Sequence, residues 1–330
     1  MKVTENEVRP DAMFEEYLAL AARDTITYFK DVERVAINCP ACGEKGKKLF
    51  DKSGFQYEEC SSCKTIFVSP RPVKDAFNAY YTDSPSTKFW ATTFYKLTEV
   101  ARREKLWKPK ASLIKNVIEK YQGIDPIVTI VDIGGGYGVF DEEIKNIMGV
   151  DIVVVEPSIH LATICKEKGF KTIEKFMENI SVSELPLGRN CFVSFELFEH
   201  LHDPALFMET MANVMQKEDL FIFTTLSSMG IDIQVLGQHS KSVSPPHHLN
   251  FMNPKSIKYF MEKLGFKILE ITTPGKLDVD ILDKNIHYIT EKSWINTLEY
   301  LDDEGKEHLQ DVIAELGLSS HMMITCTKSD

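Results

Sequence analysis

VDIGGGYGVF, residues 131–140, is an apolar run that breaks into glycines and continues as a helical pattern. The glycines let a turn tighten and let a ligand touch the backbone. Working outward, IVTIVDI (127–133), DIVVVE (151–156), CFVSFE (191–196) and LFIFTT (220–225) are short runs that are apolar at nearly every position. Amphipathic helical segments such as 158–168 and 204–216 separate them. Runs apolar on both faces, alternating with helices, predict an α/β fold with a parallel sheet covered on both sides. The glycine turn then sits at the C-terminal edge of that sheet, where ligands bind in doubly wound folds.

The turn excludes one ligand class. A dinucleotide fingerprint needs G-x-G-x-x-G. Counted from Gly134 its last glycine falls on Val139, and counted from Gly136 it falls on Asp141. Asp132 precedes the first glycine by two residues and would repel a pyrophosphate; it suits a ligand carrying an ammonium and a sulfonium. Glu156 closes the second strand, where an acid can accept both ribose hydroxyls. Capping of helices or turns is the competing role for both acids.

With VDIGGGYG (131–138), VVVEPS (153–158), FVSFELFEHLHDP (192–204), FIFTTLS (221–227) and HHLNFMNPKSIKYFMEKLGF (247–266), residues 125 to 330 resemble the class I methyltransferases that use S-adenosylmethionine. The resemblance implies a Rossmann-like seven-stranded sheet of order 3-2-1-4-5-7-6, with the last strand antiparallel. It implies cofactor contacts from Asp132, Gly134, Gly135, Gly136, Gly138, Glu156, Pro157 and Glu196. Methyl transfer is an in-line displacement that needs an aligned nucleophile about 3 Å from the methyl carbon, and a base for its proton. His200 is one base candidate, because imidazole titrates near neutrality. Glu196, Glu199 and His200 also reproduce an E-x-x-E-H pattern similar to the quinone-biosynthesis O-methyltransferases, which implies a second mechanism using Mg²⁺ to acidify a hydroxyl. The Glu-His pair is widespread in methyltransferases without metal, so metal-free base catalysis is the reading adopted. Glu199 has a cap as its alternative role, and His202 reads as surface.

A second histidine cluster lies in SPPHHLNFMNP (244–254), where Asn253 can cap a helix that Pro254 begins. The resemblance implies that this stretch lines the substrate side. His248 is thereby a second base candidate, and His247 and Asn250 are substrate contacts. Residues 227–243 read as a long polar loop, a candidate lid.

Cys39, Cys42, Cys60 and Cys63 form C-x2-C-x17-C-x2-C, a zinc spacing that aims four thiolates at one ion and reads as structural. Cys165, Cys191 and Cys326 read as core. Over residues 39–71 there are six basic residues (Lys45, Lys47, Lys48, Lys52, Lys64, Arg71) against four acidic (Glu44, Asp51, Glu58, Glu59), a small excess for an RNA clamp. The ribbon followed by Pro70-Arg71-Pro72 and Tyr80-Tyr81, with Thr273–Asp278 and Leu318–Met322, resembles bacterial methyltransferases of surface-polysaccharide and sugar-nucleotide biosynthesis. That implies Tyr81 as a substrate contact, with Tyr80 and Trp90 as further aromatic candidates.

The expected plan is a helical arm (1–38, helical from 11 to 34 with Asp11 as cap), a four-cysteine zinc ribbon (39–71), a helical cap over the cofactor (72–122, interrupted near Pro109) and the methyltransferase domain (123–330). In its tail, strands at 266–273 and 321–328 and helices at 254–264 and 303–316 are joined by a linker. The net charge of −11 disfavours a nucleic-acid partner, though an RNA methyltransferase guided by the ribbon is an alternative, as is a non-catalytic adaptor. No secretion signal or spanning helix is read, so the expected setting is cytoplasmic, with a small-molecule partner.

Overall fold

The computed structural model describes Val8, residues 10–123 and residues 126–329. The chain folds into two compact units, each drawn from three separate stretches. One holds Met1–Glu99, Thr225–Ile257 and Thr272–Met322; the other holds Val100–Thr224, Lys258–Ile271 and Met323–Asp330.

Helix Asp11–Phe29 is followed by short strands: β1 (Arg34–Val35), β2 (Gly46–Lys52), β3 (Phe55–Cys60), β4 (Ile66–Val68) and β5 (Arg71–Pro72). Seven strands then form the large sheet: β6 (Thr129–Ile133), β7 (Asp151–Val155), β8 (Lys171–Ile173), β9 (Asn190–Phe195), β10 (Leu220–Leu226), β12 (Phe266–Thr272) and β13 (His321–Lys328). The remaining strand, β11 (Asn250–Phe251), belongs elsewhere. The large sheet runs β12-β13-β10-β9-β6-β7-β8, which is the expected 3-2-1-4-5-7-6 in reverse. Pairs β10–β9, β9–β6, β6–β7 and β7–β8 are parallel. Its core packs Ile130, Val154, Val193 and Ile222 against Ile114, Ile118, Phe140 and Ile144 from helices Lys108–Tyr121 and Val139–Met148.

β8 carries no apolar run in the sequence; as a three-residue edge strand it is held by pairing to β7 alone. The expected linker after 273 contains helices Asp278–Lys284 and Lys292–Tyr300, which bury Val279, Leu282 and Leu298 in a cluster with Ile313. The interruption expected near Pro109 is a π-helical turn, Arg103–Trp107, which joins helix Tyr95–Arg102 to helix Lys108–Tyr121, whose second residue is Pro109. Of the helix expected over 11–34, the chain forms Asp11–Phe29. Pro10 occupies the cap and Asp11 is the first helical residue. Arg34 ends the helix by donating from Nη2 to the Phe29 carbonyl (3.0 Å), while Arg34–Val35 pair with β5.

In the unit built around the first 99 residues, β11 joins the ribbon to make a second sheet, β11-β4-β3-β2. Phe55, Tyr57, Ile66 and Val68 of the ribbon share one core with Phe29, Phe77, Tyr80, Leu249 and Phe251. Residues 227–243 carry a helix, Ile231–Leu236. Its buried Asp232 accepts hydrogen bonds from the hydroxyls of Ser240 (3.0 Å) and Ser242 (2.7 Å), which ties the stretch down.

Candidate functional site

The glycine turn is shaped by three left-handed residues, Gly134, Gly136 and Gly138. Gly135 has ordinary backbone angles, but a Cβ there would lie 2.7 Å from Val154 Cγ1 and 3.0 Å from Asp132 Oδ2. The strand ending therefore packs too closely for any side chain at that position. The Gly134 amide donates to the Val155 carbonyl (2.8 Å), locking the turn to the neighbouring strand end.

Glu156 is 6% exposed. Its Oε2 accepts from the Gly136 amide (3.1 Å) and its Oε1 from the Ser158 amide (2.9 Å). The acid thus ties the turn to the start of helix Ile159–Glu167, and each oxygen still has a lone pair to offer. Burial lifts its pKa to about 7, against the pull of those two amides. Among the described residues no lysine or arginine is ion-paired with it. Asp132 is buried as well, and so is Asp141 at the start of the following helix, where the two carboxyls share a hydrogen bond. Burial raises both of these pKa values; the hydrogen bond from Asp141 offsets part of the rise at Asp132, to which the Glu156 charge adds, while the charge of Asp132 adds to the rise at Asp141. Three carboxyls around one glycine turn, all pushed toward the neutral form, make a site that gains from a cation.

Glu196, at the end of β9, adopts φ +53°, a strained conformation for a side chain with a Cβ. The Thr224 hydroxyl donates to its Oε1 (2.5 Å), and its amide donates to the Thr224 carbonyl (3.1 Å). Lys110 Nζ stands 3.7 Å from the same Oε1 and 4.6 Å from the centre of the Phe195 ring. Burial lowers the Lys110 pKa. Glu199 is buried and His200 half-buried on the turn Phe198–His200, and Asp203 caps the helix that follows. His202, half-buried, stands between them. Sequence reasoning missed Asp141 and Lys110. Asp141 had a signal in its place just after Gly138; Lys110 had none, since its helix shows only amphipathic spacing.

In the other unit the four ribbon cysteines bring their sulfurs within 4.8 Å of one another, with Cys39–Cys63 and Cys42–Cys60 at 3.5 Å. Bonds of ~2.3 Å to a tetrahedral ion require sulfurs ~3.8 Å apart, so the thiols fit zinc. Each pair closes a turn at a left-handed residue, Gly43 and Lys64. The second turn grips the histidine segment. The Asn253 side chain donates to the Cys63 carbonyl (2.8 Å), and the Ser228 hydroxyl donates to the Lys64 carbonyl (2.8 Å). The pairing Asn250↔Phe67 and Phe251↔Ile66 continues the grip.

Asn250 is fully buried, and its Oδ1 accepts from Arg71 Nη2 (2.7 Å). His247 Nε2 is 2.7 Å from the Tyr80 hydroxyl, which also meets Ser86 Oγ (2.9 Å). Burial drops the His247 pKa to about 3, so this ring stays neutral. Tyr81 is 40% exposed, with its ring 5.7 Å from His247. Trp90 stacks on Phe94 at 4.3 Å. His248 Nδ1 lies 2.6 Å from the Ser242 carbonyl. A carbonyl only accepts, so Nδ1 carries the proton and Nε2 is the basic nitrogen of the neutral ring. The Tyr57 hydroxyl donates to the His248 carbonyl (2.9 Å) and fixes the backbone below it.

The family described as "Methyltransferase domain" matches residues 89–271. A comparison with curated proteins returned no match. Among solved structures, the chain is similar to the plantazolicin methyltransferase BpumL in complex with SAH (TM-score 0.47, 13% identity, 74% of this chain and 93% of that one). It is also similar to a SAM-dependent methyltransferase from Archaeoglobus fulgidus (0.45, 15%, 71% and 100%). A third is the complex between the Haloferax volcanii Trm112 methyltransferase activator and the putative methyltransferase (0.43, 12%, 70% and 97%).

Proposed function

The chain belongs to the methyltransferase-domain family, and from that premise we propose that it moves a methyl group from S-adenosylmethionine to an oxygen or nitrogen of a small metabolite, a sugar or sugar nucleotide used in surface-polysaccharide biosynthesis. The supporting observation is the cluster of buried carboxyls around the glycine turn, which has no phosphate-binding character and favours a cationic ligand. When bound, S-adenosylmethionine supplies a methyl group made electrophilic by its sulfonium.

In this reading Glu156 accepts hydrogen bonds from the ribose hydroxyls with the lone pairs its backbone partners leave over. Asp132 and the turn Gly134–Gly138 hold the methionine end, with Pro157 and Glu196 completing the wall. His200 or His248 takes the acceptor's proton. The fixed tautomer of His248 favours it over His247, whose depressed pKa makes it a poor proton acceptor. Tyr81, His247 and Asn250 line the substrate side, and the Arg71–Asn250 hydrogen bond holds the segment that carries His247. Zn²⁺ on Cys39, Cys42, Cys60 and Cys63 has a bracing role. The setting is the cytoplasm.

Labelled methyl transfer to a panel of sugar nucleotides tests the acceptor class. Glu156→Ala tests the cofactor: we expect affinity for S-adenosylmethionine to fall about a hundredfold, since two hydrogen bonds to a charged group are lost. Unchanged affinity would overturn the binding mode.

A further inference from the structure

A cavity of about 170 Å³ opens in the unit that carries the ribbon. One wall is helix Asp11–Phe29, with Leu18, Ala21 and Ala22; the others are the β2–β3 turn, with Lys52 and Ser53, and residues 241–245. Two lysines, Lys52 and Lys241, line a pocket whose remaining walls are mostly apolar. Lys241 is paired with Glu15 at 3.3 Å, a side chain that is 63% exposed and so only weakly neutralising. Lys52 is different. Its one described hydrogen bond goes to the Ser240 carbonyl (2.7 Å), and no carboxylate is ion-paired with it among the described residues. An enclosed ammonium without a counter-charge is costly, and an anion relieves that cost. Burial holds the Lys52 pKa down at about 8, with no acid pulling it back up.

The cavity is also tied to a candidate base. Ser244 lines it, and the Ser244 carbonyl accepts from the His248 amide (3.0 Å), so cavity wall and histidine belong to one turn of chain. The volume exceeds that of several waters, at ~30 Å³ each, and accommodates a tetrahedral oxyanion.

We propose that this cavity is a phosphoryl-binding subsite, in which Lys52 and Lys241 hold a phosphate of the methyl acceptor. The proposal rests on the acceptor reading above and narrows it to phosphorylated compounds. A dianion gains more from two lysines than a carboxylate does, and the apolar floor leaves no competing acid inside.

Binding needs no methyl transfer, so its test is separate from that of the enzyme activity. The full zinc-loaded chain is titrated with inorganic phosphate and, at equal ionic strength, with acetate. We expect one saturable phosphate site, weaker binding of acetate, and a ten- to hundredfold loss of phosphate affinity in Lys52→Gln or Lys241→Gln. Lys52→Arg keeps the charge and retains binding, which separates charge from fold. Absence of saturable phosphate binding, acetate binding as tight as phosphate, or affinity unchanged in both glutamine variants overturns the subsite. If phosphate binds as expected while no phosphorylated acceptor is methylated, the subsite stands and the acceptor reading fails.

Discussion

The glycine turn and the histidine segment are assembled in opposite ways. Glu156 reaches Gly136 across 20 positions of chain, and every part of that turn comes from two adjacent β-α units. The histidine segment depends on partners 179 to 191 positions away: Arg71 on Asn250, Cys63 on Asn253, Tyr57 on His248. The first region carries its own support, while the second borrows it from the ribbon. A perturbation of the ribbon therefore ought to reach the histidines and spare the turn.

The harshest way to break that contrast is to remove Cys60, one of the four proposed zinc ligands, or to strip the proposed metal with a strong chelator. A four-thiolate site contributes on the order of 10 kcal/mol to the folding of small zinc modules. For Cys60→Ser we expect loss of bound zinc, a fall in melting temperature and abolished transfer, with affinity for S-adenosylmethionine held within about threefold. Calorimetry on the variant reads the last point. A parallel collapse of cofactor binding means that the two regions are not independently supported.

Acidity sharpens the comparison from the other side. The Glu156 carboxyl ionises near 7 in the fold against 4.5 ordinarily. Below 4.5 it is protonated in folded and unfolded chains alike. As pH rises from there the unfolded chain releases the proton while the folded one keeps it, so stability falls until about pH 7 and then levels off. The full effect is at most about 3 kcal/mol, and Asp132 and Asp141 act in the same direction. Denaturant titrations of the unliganded protein between pH 4.5 and 7.5 are expected to show this slope, and Glu156→Gln to flatten it. Affinity for the cationic cofactor runs the other way, rising through pH 7. A stability that climbs with pH over this window contradicts the burial of these acids.

A smaller test touches the turn's close packing. The Gly135→Ala methyl would meet Val154 Cγ1 at 2.7 Å, and overpacking of this kind costs about 1–3 kcal/mol. We expect that loss in chemical denaturation, together with weaker cofactor binding and no change in zinc content.

How far each region was legible follows from the same contrast. The order of the large sheet could be read because each inner strand is an apolar run bounded by a helix, and because the resemblance fixes how such units stack. The turn could be read because its glycines and acids are consecutive. β8 could not, since three residues at a sheet edge leave no periodic trace. Nor could the role of Asn250–Phe251 as a fourth strand of the ribbon sheet, because two residues show no alternation and their partner lies far upstream. The pairing of Tyr80 with His247 was likewise hidden: Tyr80 reads as ordinary helix packing, and nothing near it announces a partner 167 positions on.

That pairing supports the mildest prediction. Tyr80 is fully buried, and its hydroxyl lies between Ser86 Oγ and His247 Nε2. Burial also keeps the phenol from ionising, so it acts as a neutral link. Tyr80→Phe preserves the ring packing against Phe29 and Tyr28 and removes only the oxygen. The buried His247 nitrogen then loses that hydrogen bond, at a cost of about 1–3 kcal/mol. If His247 serves only as packing, the variant loses stability and keeps its kinetics. If His247 orients the acceptor, KM for the acceptor rises several-fold while cofactor affinity and zinc content stay unchanged. Measuring stability and KM on the same preparation separates the two, and an effect on cofactor affinity would break the division between the regions from which it was derived.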